Sequence, residues 1–306
     1  MALTPKNSAD TTSPSSEEMR TRQGILLGLV AYTTWGSFPV FFKALHGATP
    51  LEIVAHRIFW SVVFLATLVL LSRQTHALKQ TLKDRACLLT LCGSTLLIAG
   101  NWLTFLYAIQ RGEVLQSSLG YFMTPLISVL LGFIFLRERL NRLQTTSVTL
   151  AFLGVLNLTF HHGSFPWIAL ILASSFGLYG LLRKLARVDA MVGLTVETLL
   201  LAPVALSYIL WLGSNGAGTF LEGSLRLDLL LPLSGVVTAA PLLAFVGAAR
   251  RLRMATIGFL QYITPSLHFL LAVLLYREPF SQGHLVSFLF IWSALGLYSV
   301  NAIRKK

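Results

Sequence analysis

The stretch "SLGYFMTPLISVLLGFIFLRE" (118–138) has a near copy, "GFLQYITPSLHFLLAVLLYRE" (258–278), that begins 140 residues later. Superimposing Pro125 on Pro265 also aligns the preceding threonines, two consecutive leucines and the final Arg-Glu pair. Leucine matches are common between oily segments by chance. Thr-Pro and Arg-Glu, held 13 residues apart from proline to glutamate in both copies, are much less so. The sequence therefore predicts an internal repeat.

The composition is that of a membrane protein. Hydrophobic residues make up 55% of the 306 residues and charged residues only 12%, and the mean hydropathy is +0.70. A soluble domain carries about 25% charged residues, whereas apolar runs of about 18 residues or more cross the ~30 Å of bilayer hydrocarbon as helices. We therefore expect an all-α, multi-pass membrane protein.

Ten apolar runs predict ten transmembrane helices, with uncertain edges and a short fifth member. Residues 1–22 precede them as a predicted disordered cytoplasmic tail, because the first 18 are rich in Ser, Thr and Pro. The connection 72–85 is basic and has apolar residues spaced for a small amphipathic patch on the membrane surface. The predicted spans are 24–43, 53–71, 86–108, 114–136, 145–160, 165–182, 191–212, 229–249, 255–276 and 285–303.

The net charge of +12 would suggest a nucleic-acid partner in a soluble protein. In a membrane protein, an excess of Lys and Arg marks the cytoplasmic side. If both termini are cytoplasmic, 19 of the 24 Lys and Arg residues fall on that side. The five on the outer side are Lys43, Arg57, Arg111, Arg226 and Arg277. The charge therefore predicts orientation, with no nucleic-acid partner.

Five spans precede the second copy, and five is an odd number. The second half must therefore enter the membrane in the opposite sense to the first. We predict two five-helix repeats, residues 23–162 and 163–303, as an inverted pair. Secondary transporters have this architecture, with a substrate site near the bilayer midplane between the two halves.

The repeated stretches resemble the EamA family of the drug/metabolite transporter superfamily. The order of further segments resembles its RarD group of permeases. The resemblance covers about residues 22–301 and implies a ten-helix 5+5 fold in a bacterial inner membrane. It also implies transport of a small metabolite or drug, without a cofactor. The further segments are "AHRIFWS" (55–61), "GNWLTFLYA" (100–108), "SSLGYF" (117–122), "GLYGLLRK" (177–184) and "VETLLLAP" (196–203).

Arg57 is the strongest candidate for a substrate site, because Arg at a helix centre costs about 2.5 to 3.5 kcal/mol on insertion scales. It lies about a turn inside the second predicted span, beside His56 and three residues before Trp60. We expect Arg57 to face a cavity and bind an anionic group or carboxylate, with Trp60 stacked on its guanidinium. The alternative is a snorkelling side chain that Glu52 holds near the outer headgroups.

Glu197 lies about two turns into the seventh predicted span, without a charged neighbour at helical spacing. A carboxyl group inside a membrane is a candidate proton carrier. This interpretation applies to Glu197 and, more weakly, to Glu52. The alternative is a structural bridge from Glu197 to Arg183 or Lys184 at the cytoplasmic rim.

Six further polar or aromatic residues lie within predicted spans of both halves and suit a pathway for a flat, amphipathic metabolite. Taken singly, each is more often part of a helix–helix hydrogen bond. The six are Asn101, Trp102, Tyr121, Tyr179, Gln261 and Tyr262.

Pro125 and Pro265 each remove a backbone donor near the middle of a predicted span. Such a helix is loosened where a cavity could form. We expect the two prolines to be gating hinges, and static kinks are the alternative.

Three functional classes remain open on the sequence. The first is a secondary carrier, coupled to protons or working as a facilitator or exchanger of amino-acid-like solutes. The second is a membrane enzyme, which would need clustered acids, a metal site or a recognised catalytic motif. The intramembrane acids here are only Glu52 and Glu197, near opposite faces. The third, a sensor or accessory subunit, has no need of an inverted duplication. A homodimer stays open for all three.

Overall fold

The computed structural model describes residues 16–110, 114–162, 165–275 and 282–304, which are helical apart from short connections. Residues 1–15, Arg111, Arg277 and Glu278 lie outside the described part, so the second Arg-Glu pair of the repeat cannot be compared there. The helices are α1 (Ser16–Gly36), α2 (Phe38–Lys43), α3 (Pro50–Leu71), α4 (Thr75–Lys83), α5 (Arg85–Gln110), α6 (Val114–Leu136), α7 (Arg142–His162), α8 (Trp167–Leu185), α9 (Ala190–Ser214), α10 (Leu225–Ala249), α11 (Met254–Gln261), α12 (Ile263–Leu270) and α13 (Gln282–Arg304).

Seven helical segments of the described chain are long and apolar enough to cross a membrane. They match seven of the ten predicted spans, and the prediction of a multi-pass membrane protein is confirmed. The count of ten stays a prediction, in which α7, the pair α11–α12 and α13 supply the other three crossings. The seven segments are Ser16–Lys43, Pro50–Leu71, Arg85–Phe105, Leu119–Leu136, Trp167–Leu185, Ala190–Ser214 and Leu225–Ala249.

Helix α1 begins at Ser16, inside the segment 1–22 that we predicted to be disordered. Glu17 and Glu18 lie in its first turn, where negative charge is stabilised by the positive end of the helix dipole. This first turn is polar and therefore shows no apolar periodicity in the sequence.

Helix caps set the depth of two charged side chains in the bundle. Thr49 accepts a hydrogen bond from the backbone of Glu52 at 3.3 Å, and Pro50 occupies the first turn, so α3 begins about two turns before Arg57. Asp189 accepts from the backbone of Met191 at 2.9 Å and starts α9 about two turns before Glu197. Each charge is thus placed roughly 10 Å from a helix end, at 1.5 Å per residue.

The helices that carry the repeated motif cross in an antiparallel sense. Near the start of α6, Tyr121 contacts His268 of α12, with ring centroids 5.9 Å apart. One to two turns later, Ser128 donates a 3.0 Å hydrogen bond to the side chain of Gln261, at the end of α11. Moving forward along α6 therefore means moving backward along α11 and α12.

The prolines of the repeat have different local effects. Pro125 lies inside an uninterrupted α6. Around Pro265 the helix is broken at Tyr262, between α11 and α12, and continues as a π-helical turn, Leu271–Leu275. The two segments touch closely, since a Cβ on Gly258 would lie 2.6 Å from the Pro125 carbonyl oxygen.

Packing between helices follows a regular scheme. Helix α1 packs on α10 and α12, whereas α8 packs on α5 and α6. Three further pairs are α3 with α9, α6 with α11, and α7 with α13. An aromatic core joins α1, α8 and α10, with ring centroids 5.2–6.3 Å apart. Its members are Tyr32, Trp35, Phe176, Tyr179 and Phe245.

Candidate functional site

Arg57 lies between helices of the two predicted halves. Its Nε donates a 2.8 Å hydrogen bond to the Oγ1 of Thr238, on α10. The hydroxyl of Thr238 in turn donates to the backbone oxygen of Ser234 at 2.7 Å. Because Thr238 is buried and committed on both sides, it holds the guanidinium group in a fixed position.

Two aromatic rings flank this guanidinium. Its central carbon lies 5.1 Å from the ring centroid of Phe42 and 5.4 Å from that of Trp102. Both distances fall within the range of cation–π attraction. The sequence indicated Trp102 as a pathway residue but did not single out Phe42 or Thr238, which lie on other helices and have no helical spacing to Arg57.

The predicted stacking of Trp60 on Arg57 is wrong. The indole of Trp60 instead donates to Nδ1 of His56 at 3.2 Å, one turn back on the same helix. Both rings also lie near Phe220, which follows α9. Spacing of i,i+3 makes contact between Arg57 and Trp60 geometrically available, but the partners that Arg57 uses come from α2, α5 and α10.

The proposed tether between Glu52 and Arg57 is also wrong. Glu52 Oε1 accepts hydrogen bonds from the backbone nitrogen and hydroxyl of Thr219, at 2.6 and 3.0 Å. In the described part of the chain, no carboxylate lies within 4.0 Å of Arg57. Arg57 therefore carries a positive charge that no described acid neutralises.

A third aromatic side chain opens this site. Tyr121 is 40% exposed although it belongs to the middle of the bundle, between Phe105 and His268. Its phenol lies near the guanidinium group of Arg57. The imidazole of His268 bonds the backbone oxygen of Trp35 at 3.0 Å, as expected for a packing histidine. Arg57, Phe42, Trp102 and Tyr121 form a half-buried group that we call the Arg57 site.

Two of the other predicted pathway residues make hydrogen bonds between helices. Asn101 donates to the backbone oxygen of Leu172 and the hydroxyl of Ser175, both at 2.9 Å. Gln261 accepts from Ser128. Tyr262 is buried against the core around Phe259, and its hydroxyl has no hydrogen-bond partner among the described residues. The contacts of Asn101 and Gln261 agree with the alternative of helix–helix bonding, and a pathway role for all three residues stays a prediction.

Glu197 is held in a second polar cluster. Its carboxylate lies 3.5 Å from Nε of Arg183, with both side chains at most 2% exposed. It also accepts hydrogen bonds from the hydroxyls of Ser94 and, at 3.3 Å, Tyr179. The partner of Glu197 is thus Arg183 and not Lys184, which agrees with the alternative of a structural bridge. The pair is buried, and Arg183 lies in the last turn of α8.

A small cavity lies between the Arg57 site and this cluster. Its lining includes Trp102 and Thr238 on one side and Tyr179 and Glu197 on the other. Its volume is about 10 Å³, which is room for about one water molecule. In this conformation it does not hold a solute, but it joins the two charged clusters.

Comparison with known proteins gives the family. The EamA-like transporter family matches residues 22–160. An "Uncharacterized transporter" of Vibrio cholerae is 46% identical, with 94% of this chain and 95% of that protein aligned. "Protein RarD" of Salmonella typhi is also 46% identical, over 94% of this chain and 99% of its own.

A solved crystal structure supports the fold. It matches with a TM-score of 0.70 and covers 93% of this chain and 99% of its own, at 17% identity. A match at that identity concerns fold alone. The near full-length similarity to these two relatives is the stronger finding, and it agrees with the apolar helices and the repeated motif. The chain is a membrane transporter that belongs to the EamA-like transporter family and resembles its RarD proteins.

Proposed function

We propose that this protein is a secondary transporter of a small organic solute in a bacterial inner membrane. It works by alternating access between two inverted halves, residues 23–162 and 163–303, with both termini in the cytoplasm. The family match and the relative named as a transporter support the class. The mechanism rests on the packing of the helices and on the Arg57 site.

The packing scheme supports two halves related by a two-fold axis. If each of the first five predicted spans is exchanged with its counterpart five spans later, the contact of α1 with α10 becomes that of α8 with α5. The contact of α1 with α12 becomes that of α8 with α6. The pairs α3 with α9, α6 with α11 and α7 with α13 map onto themselves. The antiparallel crossing of α6 with α11 and α12 gives the exchange its inverted sense.

The observation that carries the substrate assignment is the uncompensated charge of Arg57. A buried or half-buried charge is costly unless it is paired, and no described acid pairs this one. Thr238 occupies Nε, and the rings of Phe42 and Trp102 lie near the group. The two terminal nitrogens have no hydrogen-bond partner among the described residues. They can each donate a hydrogen bond to one oxygen of a carboxylate. We therefore propose an anionic or zwitterionic solute with a flat apolar body.

A proton-independent facilitator or exchanger of amino-acid-like solutes is the second candidate. The observation that favours it is the buried pair of Arg183 and Glu197. A proton on Glu197 would leave the charge of Arg183 buried without its partner, at a cost of several kcal/mol. Proton carriage by Glu197 therefore requires a conformation in which this pair has opened.

The first prediction concerns binding and flux at Arg57. A thermal-shift screen of amino acids, amines, indoles, phenicols and aromatic carboxylates on the purified protein should select a carboxylate. Arg57→Ala should weaken its binding about ten- to a hundredfold, the effect of losing a charge-assisted pair. Arg57→Lys should also weaken it, because lysine lacks the planar fork. Arg226→Lys, an exposed arginine of the predicted outer side, is the matched control.

Flux into proteoliposomes completes this test. Uptake of the selected solute should fall with Arg57→Ala and stay normal in the control. If Arg57→Ala transports the solute like the unsubstituted protein, the site assignment is wrong. A pH gradient that is strictly required for uptake would favour proton coupling, and uptake without one would favour the facilitator.

A further inference from the structure

The turn between α10 and α11, residues 250–253, is held from three directions at one end of the bundle. From α8, the ammonium group of Lys184 donates to the backbone oxygens of Ala249, at 2.9 Å, and Leu252. From α1, Arg20 donates to the backbone oxygen of Arg250 at 3.0 Å. Cations at the carboxyl end of a helix satisfy its free carbonyl groups and its dipole.

The third contact comes from the chain just after α6. Glu138 accepts hydrogen bonds from the backbone nitrogens of Met254, at 2.8 Å, and Ala255, at 3.2 Å. Its carboxylate also lies 3.8 Å from Nε of Arg253. Arg137 makes this return possible, because its φ of 53° turns the chain back on itself. An acid thus occupies the amino end of α11, and a lysine the carboxyl end of α10.

Arg183, the residue before Lys184, faces the opposite way. It reaches Glu197 and, at 3.2 Å, the backbone oxygen of Ala190 on α9. Two adjacent cations at the end of α8 therefore join this helix to α9 on one side and to the turn 250–253 on the other. Through Ser94, the Glu197 cluster extends to α5 as well.

The two ends of the bundle differ in burial. Behind the turn 250–253, the side chains of Arg183, Met254, Ala255 and Glu197 are buried. In the Arg57 site, Tyr121 is 40% exposed, and Arg57 itself is half-buried. The bonds at the closed end are few, local and charge-assisted, and water can replace each of them when the helices part. Such contacts suit a two-state closure.

We propose that Lys184 and Glu138, clamped on the turn 250–253, form the gate at the end of the bundle that the charge distribution places in the cytoplasm, and that the structure holds this gate shut. The buried pair of Arg183 and Glu197 is a second barrier behind it. This inference rests on the proposed alternating-access function. In that cycle, both barriers open to give the Arg57 site a path to the Lys184 end.

Thiol labelling tests the gate without any substrate. In a background with Cys87 and Cys92 replaced by serine, a single Thr198→Cys reports access to the small cavity, which Thr198 lines. A small membrane-impermeant thiol reagent is applied to each side of oriented vesicles in turn. Lys184→Ala should raise the labelling rate from the Lys184 side about tenfold, since losing a charge-assisted bond of about 1.5 kcal/mol shifts a two-state equilibrium by that factor.

Three variants make the result specific. Lys184→Arg keeps a donor cation and should restore slow labelling. Arg187→Ala removes an exposed cation three residues on and should leave the rate unchanged. Glu138→Gln loses the charge at the start of α11 and should speed labelling, which keeps the test available if Lys184→Ala does not fold.

An unchanged rate in both Lys184→Ala and Glu138→Gln would overturn the gate. So would an equal increase in Arg187→Ala, which would indicate a general charge effect. Because no solute is present, the gate can fail while Arg57-dependent flux persists. Conversely, if binding and flux do not depend on a carboxylate, the labelling result still stands.

Discussion

At the scale of single residues, the buried pair of Arg183 and Glu197 depends on a glycine. A Cβ on Gly193 would lie 2.2 Å from one terminal nitrogen of Arg183 and 2.6 Å from the other. The guanidinium group therefore lies directly on the backbone of α9, in space that any side chain would fill. Its Nη1 has no hydrogen-bond partner among the described residues, so the position is set by Glu197, Ala190 and this space.

We expect Gly193→Ala to displace Arg183 and leave Glu197 as a buried, unpaired charge. Breaking a buried pair in this way costs about 3–5 kcal/mol. The apparent melting temperature in detergent should therefore fall clearly. Gly100→Ala is the control, because nothing lies within 4 Å of a Cβ there and alanine gains up to about 1 kcal/mol over glycine in a helix. Equal melting temperatures for the two variants would contradict this account.

Sequence reasoning at this scale found the charged residues but not their partners. Arg57 was recognisable because an arginine stood alone in an apolar run, and Glu197 for the same reason. Helical spacing then suggested Trp60 as a neighbour of Arg57, the alternative interpretation named Glu52, and both were wrong. The actual partners, Thr238 among them, come from helices that are distant in sequence. Nothing in one sequence states which helices meet.

At the scale of helices, the same motif produces two different elements. Pro125 leaves α6 continuous, whereas the segment around Pro265 is divided into α11, α12 and a π-helical turn. Both prolines lack a donor, so the proline alone does not account for the difference. Thr264 donates to the backbone oxygen of Tyr32 at 2.9 Å, one of the bonds that fix α12 to α1. The sequence predicted a loosened helix at each proline, but not which copy would be divided.

We expect Pro265→Ala to reduce the rate of solute flux several-fold while binding of the same solute changes little. Alanine restores the backbone donor and allows a continuous helix, which should stiffen the element that must bend between states. Pro203→Ala, in the uninterrupted α9, is the matched control. A Pro265→Ala variant with normal flux would make this break a static kink.

At the scale of the whole molecule, the distribution of charge and the packing of the halves support the same topology. The amphipathic α4 packs through Ala77 and Leu78 against Val192, near the start of α9 and at the Lys184 end. The connection after α9 lies at the opposite end, where Thr219 bonds Glu52. The repeat and the counts of Lys and Arg predicted this arrangement because they act over whole spans. They are insensitive to errors of a few residues at helix ends.

The inverted arrangement predicts opposite sidedness for these two connections. In the same cysteine-free background, Lys79→Cys on α4 should react with an impermeant thiol reagent only in inverted vesicles. Glu222→Cys, in the exposed connection after α9, should react only in right-side-out vesicles. Five predicted spans, from 86–108 to 191–212, lie between positions 79 and 222, and an odd number of crossings places the two positions on opposite faces. If both cysteines are labelled from the same side, the number of crossings between them is even and the two halves are not inverted. Alternating access at the Arg57 site, which depends on that inversion, would then be wrong.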